Sequence, residues 1–151
     1  AVIRANASEV LTLAGTDASA RGPEAGDGVE DALASAAQLV RNHGCVVAIS
    51  GPVDHIIDAD RHVTVSSGHE WMTRVTGVGC SLGALTAAFA GVQNDYLIAA
   101  TSATAMLCVA AERAAERSVG PGAFAQALVD ELFLASPDEV GARGGLRDVS
   151  A

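Results

Sequence analysis

Lysine is absent from this chain of 151 residues, and all nine of its basic residues are arginine. A Walker-type phosphate loop needs a lysine to reach the phosphates, so that route to nucleotide chemistry is closed. Any phosphate site has to use backbone N–H groups and arginine. Positive charge is scarce overall: the formal net charge is −9 and the isoelectric point about 4.6. A domain this acidic is poorly suited to binding a phosphate backbone, which argues against a nucleic-acid partner. Cysteine is limited to Cys45, Cys80 and Cys108, an odd number with no CxxC pair. That argues against a disulfide framework or a structural zinc site and suits reduced thiols in the cytoplasm. No signal-peptide pattern is present. The longest apolar stretch, about Leu97–Ala111, is interrupted by Thr101, Ser102 and Thr104, and is expected to be too short to span a bilayer. No membrane association is expected. The chain opens without methionine at "AVIRANASEV", as a processed, trimmed or partial chain would.

Aromatics make up only 3% while half of the residues are hydrophobic, so the core must be built from aliphatic and small side chains. "AVIRA" reads as a short strand leading into a helix, with Asn6 or Ser8 as its cap and Gly15 as its end. "TDASARGPEAGDG" reads as a loop. "VEDALASAAQLVRNHG" places Val29, Leu33, Ala36, Ala37 and Val40 at helical spacing before a glycine stop. The apolar run Cys45–Ile49 suits a strand buried on both faces, as in a parallel sheet. "HIID" and "HVTVS" around "ADR" form a hairpin pattern, and "HEWMTRVTGVG" reads as loop or irregular strand. Helices are expected at about Cys80–Gly91, from Asn94 or Asp95 to Arg117, and at about Ala123–Ala135, with "VGPGAF" as a turn. The order of elements predicts an α/β layer fold. One domain is expected over residues 1–136, followed by a polar, flexible tail at 137–151.

Three segments place polar groups at the end of a strand or the start of a helix, where ligands bind in open α/β sheets. The first carries Arg4, Asn6 and Glu9. An arginine fork suits phosphate oxygens, and a carboxylate can hold Mg²⁺ directly or through water. The alternative is structural: Asn6 or Ser8 caps a helix and Glu9 complements its dipole. The second is Ser50–Gly51, a hydroxyl that can bond a phosphate or simply part of a turn. The third is "GVGC": the N–H groups of Gly77, Val78, Gly79 and Cys80 can form an anion nest at a helix N-terminus. A helix N-terminus favours the thiolate form of a cysteine, which can take a proton from an attacking alcohol. The alternative is a tight packing turn with Cys80 as a small hydrophobe. His43, His55, His62 and His69 lack metal-ligand spacing and are expected to be exposed. Cys45 and Cys108 are expected in the core. Glu112, Arg113, Glu116 and Arg117 look like a solvated helix face with ion pairs along one helix.

Taken in order, these segments resemble the hydroxyethylthiazole kinase family. "IRANASEVLTLAG" is similar to the family's "RGNASEI…LAG"; the run from "VVAISGPVDHIIDADRHVTVSSG" to "VTGVGCSLGALTAAFAG" is similar to its strand, hairpin and glycine–cysteine helix; and "GPGAFAQALVDELF" is similar to its closing helix. The resemblance covers about Ala1–Leu134. It implies a ribokinase-like fold with a mostly parallel sheet, a β-hairpin and flanking helices. It also implies transfer of the ATP γ-phosphoryl group to the primary alcohol of 4-methyl-5-(2-hydroxyethyl)thiazole with Mg²⁺, in thiamine biosynthesis or salvage. By this resemblance Arg4, Ser50, Gly77, Val78 and Gly79 contact ATP phosphates, and Glu9 with Asn6 serves the metal. Gly77 and Cys80 face the substrate, and Cys80 stands where related sugar kinases carry a catalytic aspartate. Val78 replaces the threonine common in the family's Gly-Thr-Gly-Cys, so a hydroxyl is lost while the backbone donors remain. The resemblance further implies a homotrimer when full-length, and a missing N-terminal part that carries most thiazole contacts, so that this chain alone is inactive or nearly so. A kinase of the same superfamily acting on another small alcohol, or a non-catalytic nucleotide-binding module, are the alternatives.

Overall fold

A computed structural model of the chain describes residues 1–15 and 29–150; the loop expected at 16–28 lies outside them. The described elements run in the order β1 (Val2–Asn6), α1 (Ala7–Leu13), α2 (Val29–His43), β2 (Val46–Ser50), β3 (Asp54–Ile57) and β4 (His62–Val65). A 3₁₀ turn (Glu70–Arg74) follows, then α3 (Val78–Val92), α4 (Tyr96–Glu116), α5 (Pro121–Leu134), α6 (Pro137–Arg143) and β5 (Leu146–Asp148). The five strands form one sheet in the order β1-β2-β3-β4-β5. The α/β class with a hairpin and flanking helices is as expected. The sheet itself is mixed: β1 pairs parallel with β2, and β2 pairs antiparallel with β3. Chain length decides this, because Gly51–Val53 can only reverse direction, whereas a parallel partner needs a crossover of a dozen or more residues.

The chain divides into two compact units, one formed by Ala1–Thr64 with the residues from Asp148 on, the other by Val65–Arg147. In the first, β2 is buried from Val46 to Ile49, as its continuous apolar run requires. Helix α2 turns Ala32, Ala36, Leu39 and Val40 into the core with Val10, Val47 and Ile57, while Leu33 and Ala37 pack at its margin. Cys45 is buried in this core as expected. Helix α2 closes where Gly44 N–H donates to Val40 O at 2.8 Å.

Three of the four histidines depart from expectation. His43 is exposed, but His55, His62 and His69 are half-buried. His55 and His62 face each other across the hairpin, with Nδ1 of the one 2.9 Å from Nε2 of the other. Burial holds both rings below the usual histidine value of 6.5; the facing ring lowers His55 further, whereas Asp148 works upward on His62.

The second unit is built around α4. It is capped by Asp95, whose carboxylate accepts the N–H groups of Leu97 and Ile98. Ala103, Leu107, Ala110, Ala111 and Ala114 pack against Val78, Leu82, Phe124 and Leu128. Helix α4 corrects one expectation. It is 21 residues long and, by length and composition, apolar enough to cross a membrane, yet 72% of its apolar window is buried within the protein. The threonines that interrupt the stretch do not shorten the helix, and Thr104 is satisfied by its own turn, donating to Ala100 O at 2.9 Å. Residues after 136, expected as a flexible tail, fold into α6 and β5. Ser136 caps α6 and Pro137 takes the first position, where a missing N–H costs nothing.

The charged end of α4 is in part the solvated, ion-paired face expected: Glu116 and Arg117 are exposed, but Glu112 and Arg113 are half-buried, and the pairs run to other helices. Glu131 of α5 is wholly buried, and its carboxylate accepts from both Arg113 and Arg117. Arg113 also reaches Glu139 of α6, while Arg143 of α6 returns to Glu116 at 2.6 Å and to Glu112 at 3.3 Å. The pairs run between helices because a buried carboxylate must be compensated where it lies.

Arg113→Ala leaves the Glu131 carboxylate with one partner and is expected to destabilise the fold by roughly 3 kcal/mol in urea unfolding; an unchanged midpoint refutes the account. A second expectation concerns pH. The unfolded chain takes up protons near 6.5 that the folded His55–His62 pair resists, so the unfolded state binds more protons there. Stability therefore falls as pH drops through about 6.5. Urea midpoints measured from about pH 7.5 down to about pH 5.5 should show this loss, and His55→Gln should flatten it.

Candidate functional site

In the first unit the parallel register sets Asn6 beside Ser50 and Arg4 beside Ala48, at the carboxyl ends of β1 and β2. Arg4 and Ser50, 46 positions apart, are thereby brought together: Arg4 Nη2 donates to Ser50 Oγ at 2.9 Å. Arg4 Nε is buried with no hydrogen-bond partner among the described residues. An N–H left unpaired in this way costs about 1–3 kcal/mol. The chemistry that would relieve it is an oxygen acceptor, and a phosphate oxygen matches the guanidinium fork. Gly51 N–H is already committed to Asp54 Oδ1 at 3.0 Å. The group this segment could offer a ligand is therefore the Ser50 hydroxyl rather than the Gly51 N–H.

Asn6 and Glu9 realise the structural reading of their segment in full. Asn6 Oδ1 accepts Glu9 N–H at 2.9 Å and Ser8 Oγ–H at 2.9 Å, while Glu9 Oε2 accepts Asn6 N–H at 2.8 Å. This reciprocal capping box satisfies two donors that a helix start leaves open. Glu9 is exposed, and its Oε1 accepts no hydrogen bond from the described residues. One hard oxygen with access to water fits Mg²⁺, which keeps several waters and takes one or two carboxylates. A cluster of three or more histidine, cysteine or acidic side chains that could hold a metal is not found among the described residues.

In the second unit, "GVGC" begins a helix rather than preceding one. Gly77 is the N-cap at φ 90° and ψ −13°, a left-handed conformation that costs other residues roughly 1–2 kcal/mol. No side chain caps α3, and the first hydrogen bond of the helix is Ser81 N–H to Gly77 O at 2.8 Å. The N–H groups of Val78, Gly79 and Cys80 are left to point out of the helix end. Together with the helix dipole, such uncapped N–H groups are chemically suited to an anion. Val78 turns its side chain into the core, which explains why a branched apolar residue is acceptable there. Cys80 is exposed, whereas Cys108 is buried, as expected.

Sequence reasoning missed how this loop is held. His69 caps the 3₁₀ turn through Trp71 N–H, and its ring lies edge-on to Trp71 at 4.9 Å between centroids. Trp71 in turn stands edge-on to Phe124 of α5 at 6.0 Å. Glu112 accepts Gly68 N–H at 3.1 Å. The sequence shows Glu112 only as one of a run of charges at the end of α4, which equally describes a solvent-facing group.

A model of the hydroxyethylthiazole kinase family matches residues 1–137. Among curated proteins, hydroxyethylthiazole kinase from Cutibacterium acnes is 89% identical over all 151 residues of this chain, which amount to 54% of that protein. The enzyme of the same name from Kineococcus radiotolerans is 49% identical over 139 residues, 92% of this chain and 50% of that one. Among solved structures, a hydroxyethylthiazole kinase protein from Pyrococcus horikoshii superposes with a TM-score of 0.85 at 33% identity, covering 99% of this chain and 55% of that one. The fold is thus the ribokinase-like fold of these enzymes. The chain spans about half the length of the relatives it matches. By a match over nearly its whole length, the chain belongs to the hydroxyethylthiazole kinase family.

Proposed function

We propose that this chain supplies the ATP-phosphate half of a hydroxyethylthiazole kinase. The enzyme transfers the γ-phosphoryl group of ATP to the primary alcohol of 4-methyl-5-(2-hydroxyethyl)thiazole, in thiamine biosynthesis or salvage. The family match over residues 1–137 carries this reading. The local chemistry supports it, because phosphoryl transfer needs positioning and charge stabilisation more than covalent help.

In this proposal Arg4 presents its unpaired Nε to a phosphate oxygen, with the Ser50 hydroxyl as a second donor. The N–H groups of Val78, Gly79 and Cys80, opened by the left-handed Gly77, hold phosphate oxygens and stabilise charge as it develops. Glu9 offers Oε1 to Mg²⁺ while Asn6 fixes its carboxylate through the capping box. The metal, when bound, neutralises phosphate charge. Cys80 is exposed, and its sulfur, acting as the thiolate, accepts the proton of the attacking alcohol and becomes the thiol. No lysine enters any of these roles. The remaining acceptor contacts are assigned to the half of the relatives that this chain does not span. The full-length protein is taken to be a cytoplasmic homotrimer.

In the full-length enzyme, Cys80→Ala is expected to lower kcat by about 10²-fold or more with KM for ATP little changed, and Cys80→Asp to retain more of the rate. Turnover equal to wild type in both variants removes the proton-acceptor role. A coupled assay of ADP release with the thiazole alcohol should find the 151-residue chain alone nearly inactive; normal turnover by it defeats the division into halves.

A further inference from the structure

The N–H groups of Val78, Gly79 and Cys80 serve an anion only if the loop before them is fixed. That loop is anchored at its upstream end from two sides. From α4, Glu112 Oε1 accepts Gly68 N–H at 3.1 Å. From the connection between α6 and β5, Gly145 O accepts Ser66 N–H at 3.2 Å and Ser66 Oγ–H at 3.1 Å, and Gly144 O accepts Ser67 Oγ–H at 3.0 Å. Arg143 joins the two anchors, donating to Glu112 Oε2 at 3.3 Å and to Glu116 at 2.6 Å. One carboxylate therefore holds the loop with one oxygen and the C-terminal segment with the other.

Gly68 is suited to the anchor. Its φ of 122° is rarely open to other residues, and a Cβ there would lie 3.5 Å from Cys108 Sγ and Met72 Sδ. Downstream there is little slack. His69 caps the 3₁₀ turn, and Trp71, Met72 and Val75 pack onto the core of the second unit before Gly77 opens α3. The placement of the uncapped N–H groups thus depends on where Gly68 is pinned. Glu112 is only partly exposed, at 28%, and its two bonds leave it no free-solvent role as a surface charge.

The geometry points to Glu112, clamped by Arg143, as a positioning residue for the phosphate-binding end of α3. This inference rests on the kinase reading above and deepens it. Its clamp is built partly beyond residue 137, where the family match ends. Glu112 touches no reacting group; it acts through Gly68 and the turn. A misplacement of this sort degrades transfer without removing any donor.

The test uses the full-length enzyme with Glu112→Ala, Glu112→Gln and Arg143→Gln. Glu112→Ala is expected to raise KM for ATP and lower kcat, together by roughly tenfold or more, with a smaller change in KM for the alcohol. Hydrogen exchange across residues 66–80 should accelerate in the same variant. Glu112→Gln keeps an oxygen for Gly68 N–H and should restore most of both readouts. Wild-type constants and unaltered exchange in Glu112→Ala overturn the inference, as does a Gln variant no better than Ala. Should Glu112→Ala fail to fold, Arg143→Gln carries both readouts, with a smaller effect in the same direction expected and wild-type values in both overturning the inference. The exchange measurement needs no turnover. A wild-type enzyme without kinase activity therefore defeats the kinase reading and leaves exchange to decide on Glu112.

Discussion

The buried carboxylate of Glu131 is the interaction on which the second unit is arranged. A wholly buried acid has to find positive charge, and it finds Arg113 and Arg117 one helix away. From there the charges continue outward: Arg113 to Glu139, Glu139 to Arg143 at 4.0 Å, Arg143 to Glu112 and Glu116, and Glu112 to the backbone of Gly68. Four segments, α4, α5, α6 and the loop before α3, are tied by one connected set of charge-assisted bonds. Arginine suits this task where lysine would not, because its planar fork can serve two carboxylates at once. The absence of lysine therefore has a structural as well as a chemical side.

The first unit uses a different economy. Several of its polar residues do two things. Asn6 and Glu9 start α1, and the carboxylate oxygen that the capping box does not use stays open to water. Ser50 ends β2 and at the same time receives Arg4. The parallel register of β1 and β2 makes this possible, since it lines up the carboxyl ends of two strands that are far apart in the chain. Structural and functional readings of such residues do not compete. The cap fixes the group that a ligand would then meet.

The strongly patterned parts of this fold were legible in the sequence. The buried run Val46–Ile49, the hairpin around Asp58–Arg61 and the four long helices α2, α3, α4 and α5 follow from periodicity and turn residues alone. So did the candidate residues Arg4, Ser50 and Gly77–Cys80, because strand ends and glycine-rich helix starts carry local signals. What escaped was long-range. Nothing near Glu112 announces Gly68, since the two lie 44 positions apart. The pairing of His55 with His62 depends on hairpin register, and the burial of Glu131 on the packing of α5 against α4. The segment after 136 looked like a tail because its glycines and charges resemble those of disordered ends. Its stability comes from Arg143 and from carbonyls that meet Ser66 and Ser67, none of which is a local property.

Helix α4 has a consequence for the order in which the chain is made. Its apolar length leaves the ribosome before α5 and α6, and so before Glu131 and Glu139 exist to receive Arg113 and Arg117. During that interval the nascent helix is a long apolar stretch without the packing that later buries most of it. The arginines at its end are its main hydrophilic handle until the later helices arrive, and transiently exposed apolar surface of this kind invites aggregation. Helix and ion pairs thus mature together: the charges that keep the young helix in water are the ones that later lock it into the core.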